Sequence, residues 1–281
     1  MSAHRPAKKS LGQNFLIDPN QQRRIVAALE PEPGDTILEI GPGRGALTRH
    51  LVDSVEHLVL VELDDDLAAD LAREFRDRRN VTILHADVLA IDLGDIIDDP
   101  ARLRVVGNIP YNITTPIIFR LLQQGSRPRR VVLMIQREVA ERILAPAGSG
   151  EYGALSVGVR AVADVVRLFH VGRQSFRPVP RVDSTVIRID PIDPPPLSVA
   201  EEADLRELTR ATFSWRRKQL QKTLREAPGY RLDAGAVARV ADVTGIAMDQ
   251  RPEQLEPERF IRLSRALRRL GLPQVVHEAP T

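Results

Sequence analysis

Glycines and carboxylates recur at the ends of apolar runs in a spacing that suits a nucleoside. The segment Glu39-Ile40-Gly41-Pro42-Gly43-Arg44-Gly45 closes one such run, and Glu62 follows 21 residues beyond Gly41 at the close of the next. Glycine lets the backbone come close to a ligand, and an acid at a neighbouring strand tip accepts hydrogen bonds from both ribose hydroxyls. The third glycine falls one residue too early for the dinucleotide pattern G-x-G-x-x-G, and Glu39 would repel a pyrophosphate. A ligand with an ammonium group and no phosphates fits better, which points to S-adenosylmethionine as cofactor and S-adenosylhomocysteine as its spent form. The third run ends in His85-Ala86-Asp87-Val88. Asp87 alone reads as a turn or cap residue; in register with Gly41 and Glu62 it becomes an acceptor for an adenine amino group. The expected cofactor contacts are Glu39, Gly41, Gly43, Glu62 with its neighbour Leu63, and Asp87 with Val88.

The fourth run ends in Asn108-Ile109-Pro110-Tyr111, which suits work on a planar exocyclic amine. Such a nitrogen is a poor nucleophile because its lone pair is delocalised into the ring. Hydrogen bonds from its two hydrogens to the Asn108 side-chain oxygen and to a backbone carbonyl near Pro110 would hold it partly pyramidal, with the lone pair aimed at a sulfonium methyl. Pro110 fixes the turn and Tyr111 offers a stacking face. No general base is needed, because the alkylated amine is acidic enough to lose its proton; positioning and electrostatics carry the rate. A stiff basic loop, Phe176-Arg177-Pro178-Val179-Pro180-Arg181-Val182-Asp183-Ser184, precedes the last strand. Phe176 could sandwich an extruded base against Tyr111, with Arg177 and Arg181 on phosphates, or it could sit in the core.

These residues need a framework. Apolar runs at 36–40, 57–63, 81–85, 103–107 and 131–135 alternate with helical patterns near 46–53, 65–75, 115–123 and 137–144. Such alternation predicts a parallel sheet covered by helices. Asp18 is the expected N-cap of an earlier helix, with Pro19 at its first position and Gln21 as capping-box partner, ending before Pro31. Strands at 165–169 and 184–189 would close the sheet as an antiparallel hairpin. The proline-rich stretch 190–196 reads as a linker, so residues 1–191 and 192–281 are the expected domains, the second all helical. Within it, 213–225 reads as one helix. Arg217, Lys218, Gln221, Lys222 and Arg225 then spread over about 140° of its surface beside Arg216, a face suited to phosphates or merely to solvent. Near the N-terminus, Lys8 and Lys9 precede Leu11-Gly12-Gln13-Asn14-Phe15-Leu16, a candidate lid over the cofactor.

The 281 residues, 43% hydrophobic and 28% charged, suffice for one large domain and a smaller one. Net charge is only +2, yet 56–99 holds thirteen acids against four bases, and 206–231 holds eight bases against two acids. The basic stretch suits a polyanion and the acidic one should face away from it. No cysteine is present, which excludes disulfides, thiolate metal sites and Cys nucleophiles. The six histidines have no metal-ligand spacing, so no metal is expected. No apolar run approaches the 18 or so residues of a spanning helix; a cytoplasmic protein without membrane partners is expected.

At the motifs LGQNFL (11–16), LEIGPGRGALT (38–48), VELD (61–64), HADVL (85–89), NIPYNIT (108–114), FRPVPRVDS (176–184) and FSWRRKQL (213–220), the chain resembles the bacterial KsgA/RsmA ribosomal RNA adenine dimethyltransferases. That resemblance implies a seven-stranded, mostly parallel Rossmann-like class I methyltransferase domain, an α/β fold, with a small helical C-terminal domain that binds rRNA. It implies transfer of four methyls to N6 of two adjacent adenosines in the 3′-terminal hairpin of 16S rRNA, within an immature 30S subunit, by a monomer. Asn14 and Leu16 would touch the methionine end of the cofactor, Gly41 its backbone, Glu62 the ribose, Asp87 the adenine, and Asn108 both cofactor and target amine. Tyr111 and Phe176 would hold the target base. A sister family acting on large-subunit RNA shares much of this pattern, but GPGRGALT, the VDS ending and the RRK segment look like the small-subunit branch. Ile109 stands where many members have Leu, and Trp215 occupies a polar slot of the last motif. The competing readings are an NAD-dependent oxidoreductase, disfavoured by Glu39 and the glycine spacing, and a silent RNA-binding assembly factor, disfavoured by the intact Asn108–Tyr111 motif.

Overall fold

The computed structural model describes residues 8, 12–96, 99–111, 113–123 and 127–272. In chain order the first half holds β1 (Phe15–Leu16), α1 (Pro19–Ala28), β2 (Thr36–Ile40), α2 (Thr48–Leu51), β3 (His57–Glu62), α3 (Asp65–Glu74), β4 (Val81–His85), β5 (Leu103–Asn108) and α4 (Thr114–Gln123). Then come β6 (Arg130–Gln136), α5 (Arg137–Leu144), α6 (Ala154–Arg160), β7 (Ala163–Val171), β8 (Phe176–Arg177) and β9 (Ser184–Pro191). Four helices follow: α7 (Val199–Ser214), α8 (Leu220–Glu226), α9 (Ala234–Thr244) and α10 (Pro257–Arg269).

Seven strands form one sheet in the order β4-β3-β2-β5-β6-β9-β7. The first five are parallel and β9 runs antiparallel to β6. The expected closing hairpin is there: His170 Nδ1 on β7 meets Thr185 Oγ1 on β9 at 2.9 Å, and beyond the other strand ends Ile192 N–H donates to Val162 O at 3.0 Å. The inner strands read as nearly unbroken Val, Ile and Leu because both sheet faces are covered, and their side chains are buried. Chain order reverses between β2 and β5, which pair directly, with Ile40 opposite Gly107. At such a switch point the connections leave on opposite faces and open a crevice at the carboxyl ends of the strands. Gly41, Glu62, Asp87 and Asn108 all come at that end.

The far end of the sheet is tied by a buried cation. Arg104 on β5 donates through Nε to the Asp35 carboxylate, through Nη1 to Leu29 O (2.7 Å) and through Nη2 to Glu32 Oε1 (3.0 Å). On α1, Asp18 accepts N–H bonds from Asn20 and Gln21 with Pro19 at the first position, and the helix stops three residues before Pro31. The helix expected over 46–53 shrinks to the four residues of α2.

The chain forms two compact units. One comprises the described residues up to Ala140 together with Asp164–Pro191; the other comprises Glu141–Ala163 and the described residues from Ile192 onward. The boundary at 191/192 coincides with the proline-rich stretch, but 141–163, which the sequence reading places in the first domain, packs with the second. Tyr152 is the reason: its hydroxyl donates to Leu255 O (2.6 Å), and its ring meets Phe213 edge-on at 5.8 Å, which in turn lies 5.7 Å from Phe260. No sequence period links an aromatic residue at 152 to partners 60 and 100 residues on.

Candidate active site

A cavity of about 620 Å³ opens at the switch point, within the range of small-molecule sites. Among its walls are Asn14, Leu16, Glu39, Gly41, Gly43, Glu62, Leu63, Asp87, Val88, Asn108, Pro110 and Tyr111, so all the expected cofactor residues meet there. Gly41 and Gly43 adopt φ of +63° and +58°, the left-handed region that penalises any side chain. A Cβ on Gly43 would also lie 3.2 Å from the Phe15 ring. Gly43 N–H donates to Glu62 Oε2 and Asp64 N–H to Oε1, both at 2.9 Å. Each Glu62 oxygen keeps a lone pair for a ligand. Burial pushes the Glu62 carboxyl above its ordinary value.

Glu39 is buried and accepts from Thr48 Oγ1 at 2.7 Å. Burial raises its pKa to about 7. It is therefore only partly ionised at neutral pH, and the repulsion of a pyrophosphate expected from the sequence is weaker than a full charge would give. A ligand cation would restore the charge. Asp87 bears out the turn reading, Oδ1 accepting from Leu89 N–H (2.9 Å), and the residue also lines the cavity.

Asn108 donates from Nδ2 to Asn14 O at 2.9 Å. That bond fixes the amide so that Oδ1 is the group left as acceptor, and no described residue donates to it. Of the carbonyls near Pro110, Pro110 O accepts from Ile113 N–H (3.2 Å) and Thr114 Oγ1 (3.3 Å), whereas no described donor reaches Ile109 O. Tyr111 is half-buried; its hydroxyl shares a 3.2 Å hydrogen bond with Ser184 Oγ, and burial pushes its pKa up, which keeps the phenol neutral.

Phe176 departs from expectation. Its side chain is 1% exposed, lies in the hydrophobic cluster with Leu16, Ile25 and Val186, and does not line the cavity. It pairs with Leu16 in the two-stranded β1–β8 ribbon, which turns the ring inward. Phe176 is therefore a core residue here and not half of a base sandwich.

The C-terminal basic residues divide. The helix expected over 213–225 is broken: α7 ends at Ser214, 215–219 form a turn, and α8 begins at Leu220, whose N–H donates to Gln250 O while Gln221 N–H donates to Met248 O. Tertiary hydrogen bonds thus replace helical ones, and the 140° face does not exist as such. Arg216 is a clamp, donating to Glu253 Oε2 (2.7 Å), Gly150 O (2.7 Å) and Ser149 O (3.0 Å). Its guanidinium is spent on the protein and is removed from the phosphate-binding set. Arg217, Lys218 and Lys222 are exposed, as are Arg177 and Arg181. Of the candidate lid, Lys9 and Leu11 lie outside the described residues, as does Asn112 of the NIPYNIT motif.

Sequence reasoning missed the supporting partners Gln13, Thr48, Asp64 and Ser184. Asp64 carried a signal, an Asp before a helical pattern, and it does cap α3. Nothing in the sequence marks its link to Gln13, 51 residues away.

The model of the family described as ribosomal RNA adenine dimethylase matches residues 4–268. The chain belongs to that family. It is 42% identical over 267 residues to the ribosomal RNA small subunit methyltransferase A of Geobacter metallireducens, covering 94% of this chain and 97% of that protein. It is 41% identical to the protein of the same name from Pseudomonas syringae, covering 93% and 94%. A dimethyladenosine transferase from Plasmodium falciparum shares the fold (TM-score 0.77, 23% identity, 92% and 99% covered), as does the 23S rRNA methyltransferase ErmE (TM-score 0.67, 28% identity, 90% and 99% covered). As a member of the rRNA adenine dimethylase family, the protein is an S-adenosylmethionine-dependent methyltransferase. The cavity fits that cofactor: two buried carboxylates, a left-handed glycine loop and Asp87 at the wall suit a cationic nucleoside, and no phosphate is required.

Proposed function

We propose that this protein dimethylates N6 of two adjacent adenosines in the 3′-terminal hairpin of 16S rRNA, in an immature small subunit in the cytoplasm and as a monomer. The observation that carries the mechanism is the Asn108 amide, which lines the cavity with Nδ2 held by Asn14 O and no described donor on Oδ1. Bound S-adenosylmethionine supplies an electrophilic methyl. Glu39 and the glycine loop hold its methionine portion with Asn14 and Leu16, Glu62 takes the ribose hydroxyls, and Asp87 with Val88 reads the adenine. Asn108 Oδ1 accepts one hydrogen of the target amine and Ile109 O the other, which draws the lone pair out of conjugation. Tyr111 stacks on the target base. The proton leaves after transfer, since the alkylated amine is acidic enough to lose it without a general base. Arg177 and Arg181 of the first unit and Arg217, Lys218 and Lys222 of the second engage phosphates, the last three making the second unit an rRNA-binding module.

The small-subunit assignment is favoured by the 42% identity to small-subunit enzymes against 28% to a large-subunit one. Incubation of the protein with labelled S-adenosylmethionine and unmethylated 30S or 50S particles, followed by mass spectrometry of the nucleosides, tests it. N6,N6-dimethyladenosine is expected in 16S rRNA at two positions. Label in 23S rRNA, or an unmodified 16S rRNA, overturns the proposal.

A further inference from the structure

The segment Gly12–Leu16 is tethered along its length. Gln13 Nε2 donates to Asp64 Oδ2 (2.8 Å), and Gln13 Oε1 accepts from Lys8 N–H (2.8 Å). Lys8 Nζ bridges Asp64 Oδ1 (2.8 Å) and Asp66 Oδ2 (3.0 Å). The next residue, Asn14, offers the carbonyl that orients Asn108, the Phe15 ring lies against Gly43, and Ile17 N–H donates to Ser175 O (2.8 Å). Asp64 is buried and sits two residues past Glu62, whose Oε1 it supplies with a backbone N–H. One turn thus carries both the ribose acceptor and the anchor of the segment that sets the catalytic amide.

We propose that Asp64 is a positioning residue for methyl transfer, acting through Gln13 to hold the strap whose Asn14 carbonyl fixes Asn108. An asparagine amide released from its partner turns over and presents Nδ2 to the amine hydrogens, a donor against donors. The bond that prevents this comes from a backbone carbonyl, which is only as well placed as the strap. The tether to a buried carboxylate is charge-assisted and directional, unlike the exposed pairing of Lys8. This inference rests on the proposed role of Asn108, so its test includes a readout that needs no activity.

Three variants separate the links: Gln13→Ala, Asp64→Asn, which retains a good helix cap, and the double substitution. In the cofactor-free protein, hydrogen exchange at the Leu16 and Ile17 amides should quicken in Gln13→Ala with the melting temperature unchanged. Turnover on 30S subunits should fall about tenfold or more while KM for the subunit stays put. The double variant should be no slower than the worse single, because both break one chain of contacts. Unchanged exchange in Gln13→Ala, unchanged kcat, or losses that multiply in the double variant overturn the proposal. Should Asp64→Asn fail to fold, Gln13→Ala alone decides by exchange and kcat. A wild-type protein inactive on 30S subunits, with exchange still quickened by Gln13→Ala, would refute the proposed function and the catalytic half of this inference, leaving only the tether.

Discussion

In the proposed mechanism Asn108 and Glu39 do opposite kinds of work. Asn108 needs one orientation, and its neutral oxygen accepts without attracting a proton. Replacing it by Ala should lower kcat by about 10²–10³, the usual effect of removing one preorganised hydrogen-bonding group, and leave S-adenosylhomocysteine affinity nearly unchanged in a calorimetric titration. Glu39 needs a charge that burial withholds. It titrates near 7 in the fold against 4.5 for the free side chain. A raised acid means that the folded protein binds the proton more tightly than the unfolded chain. Ionising it therefore costs stability progressively as pH rises from about 4.5 to about 7. A cationic ligand favours the ionised form, so cofactor binding should release protons and tighten as pH rises from 6 to 8. Proton release is measured by titration in buffers of different ionisation enthalpy, and Glu39→Gln should abolish it. A flat wild-type profile would detach Glu39 from the ligand cation. Both residues were legible in the sequence because each ends an apolar run. Thr48 and Asn14 O, the partners that set their chemistry, were not, because those bonds depend on where a loop lands.

At the scale of elements, the strands were read almost to the residue, since the four buried runs of β2, β3, β5 and β6, rich in Val, Ile and Leu, leave little freedom. The break between α7 and α8 was not. Residues 213–225 have helical periodicity, yet Leu220 and Gln221 find carbonyl partners at Gln250 and Met248, and tertiary bonds outweigh a propensity of tenths of a kcal/mol per residue. The turn gives Arg216 and its neighbours different tasks. Arg216→Ala should cost about 1–2 kcal/mol of stability, read as a lower melting temperature, with little change in RNA affinity. Exchanging Arg217 and Lys218 for Glu should do the reverse: the fold stays as stable, while binding to 30S subunits weakens and its dependence on salt flattens. Equal affinity for both proteins across a salt series would make that turn merely solvated. Phe176 teaches the same lesson, because pairing with Leu16 in the ribbon goes with the core position that its motif leaves open as one of two alternatives.

For the whole molecule, the decisive fact is that the two units interleave in sequence. A chain ended after Pro191 keeps all seven sheet strands but leaves 141–163 without Leu255, Phe213 and Phe260, the partners and neighbours of Tyr152. Such a fragment should melt well below the full protein and aggregate, by circular dichroism and light scattering. A fragment as stable as the full chain would mean that the second unit contributes nothing to the first 191 residues. Charge is partitioned at this scale too. The acidic stretch 56–99 contributes β3, α3 and β4, and the basic stretch 206–231 belongs to the other unit, so near-neutrality overall hides two stretches of opposite sign.

The order of buried runs, the glycines and the acids at their ends were enough to specify a parallel sheet with a nucleoside crevice, because side-chain burial and strand-end position are local consequences of pattern. Which end of the Asn108 amide is bound by Asn14 O, that Phe176 turns inward, that Arg216 is a clamp and that 141–163 belongs with the helices were decided only by the folded chain. Each depends on a partner between 37 and 160 residues away, and a distance of that kind in sequence carries no information until the backbone closes it.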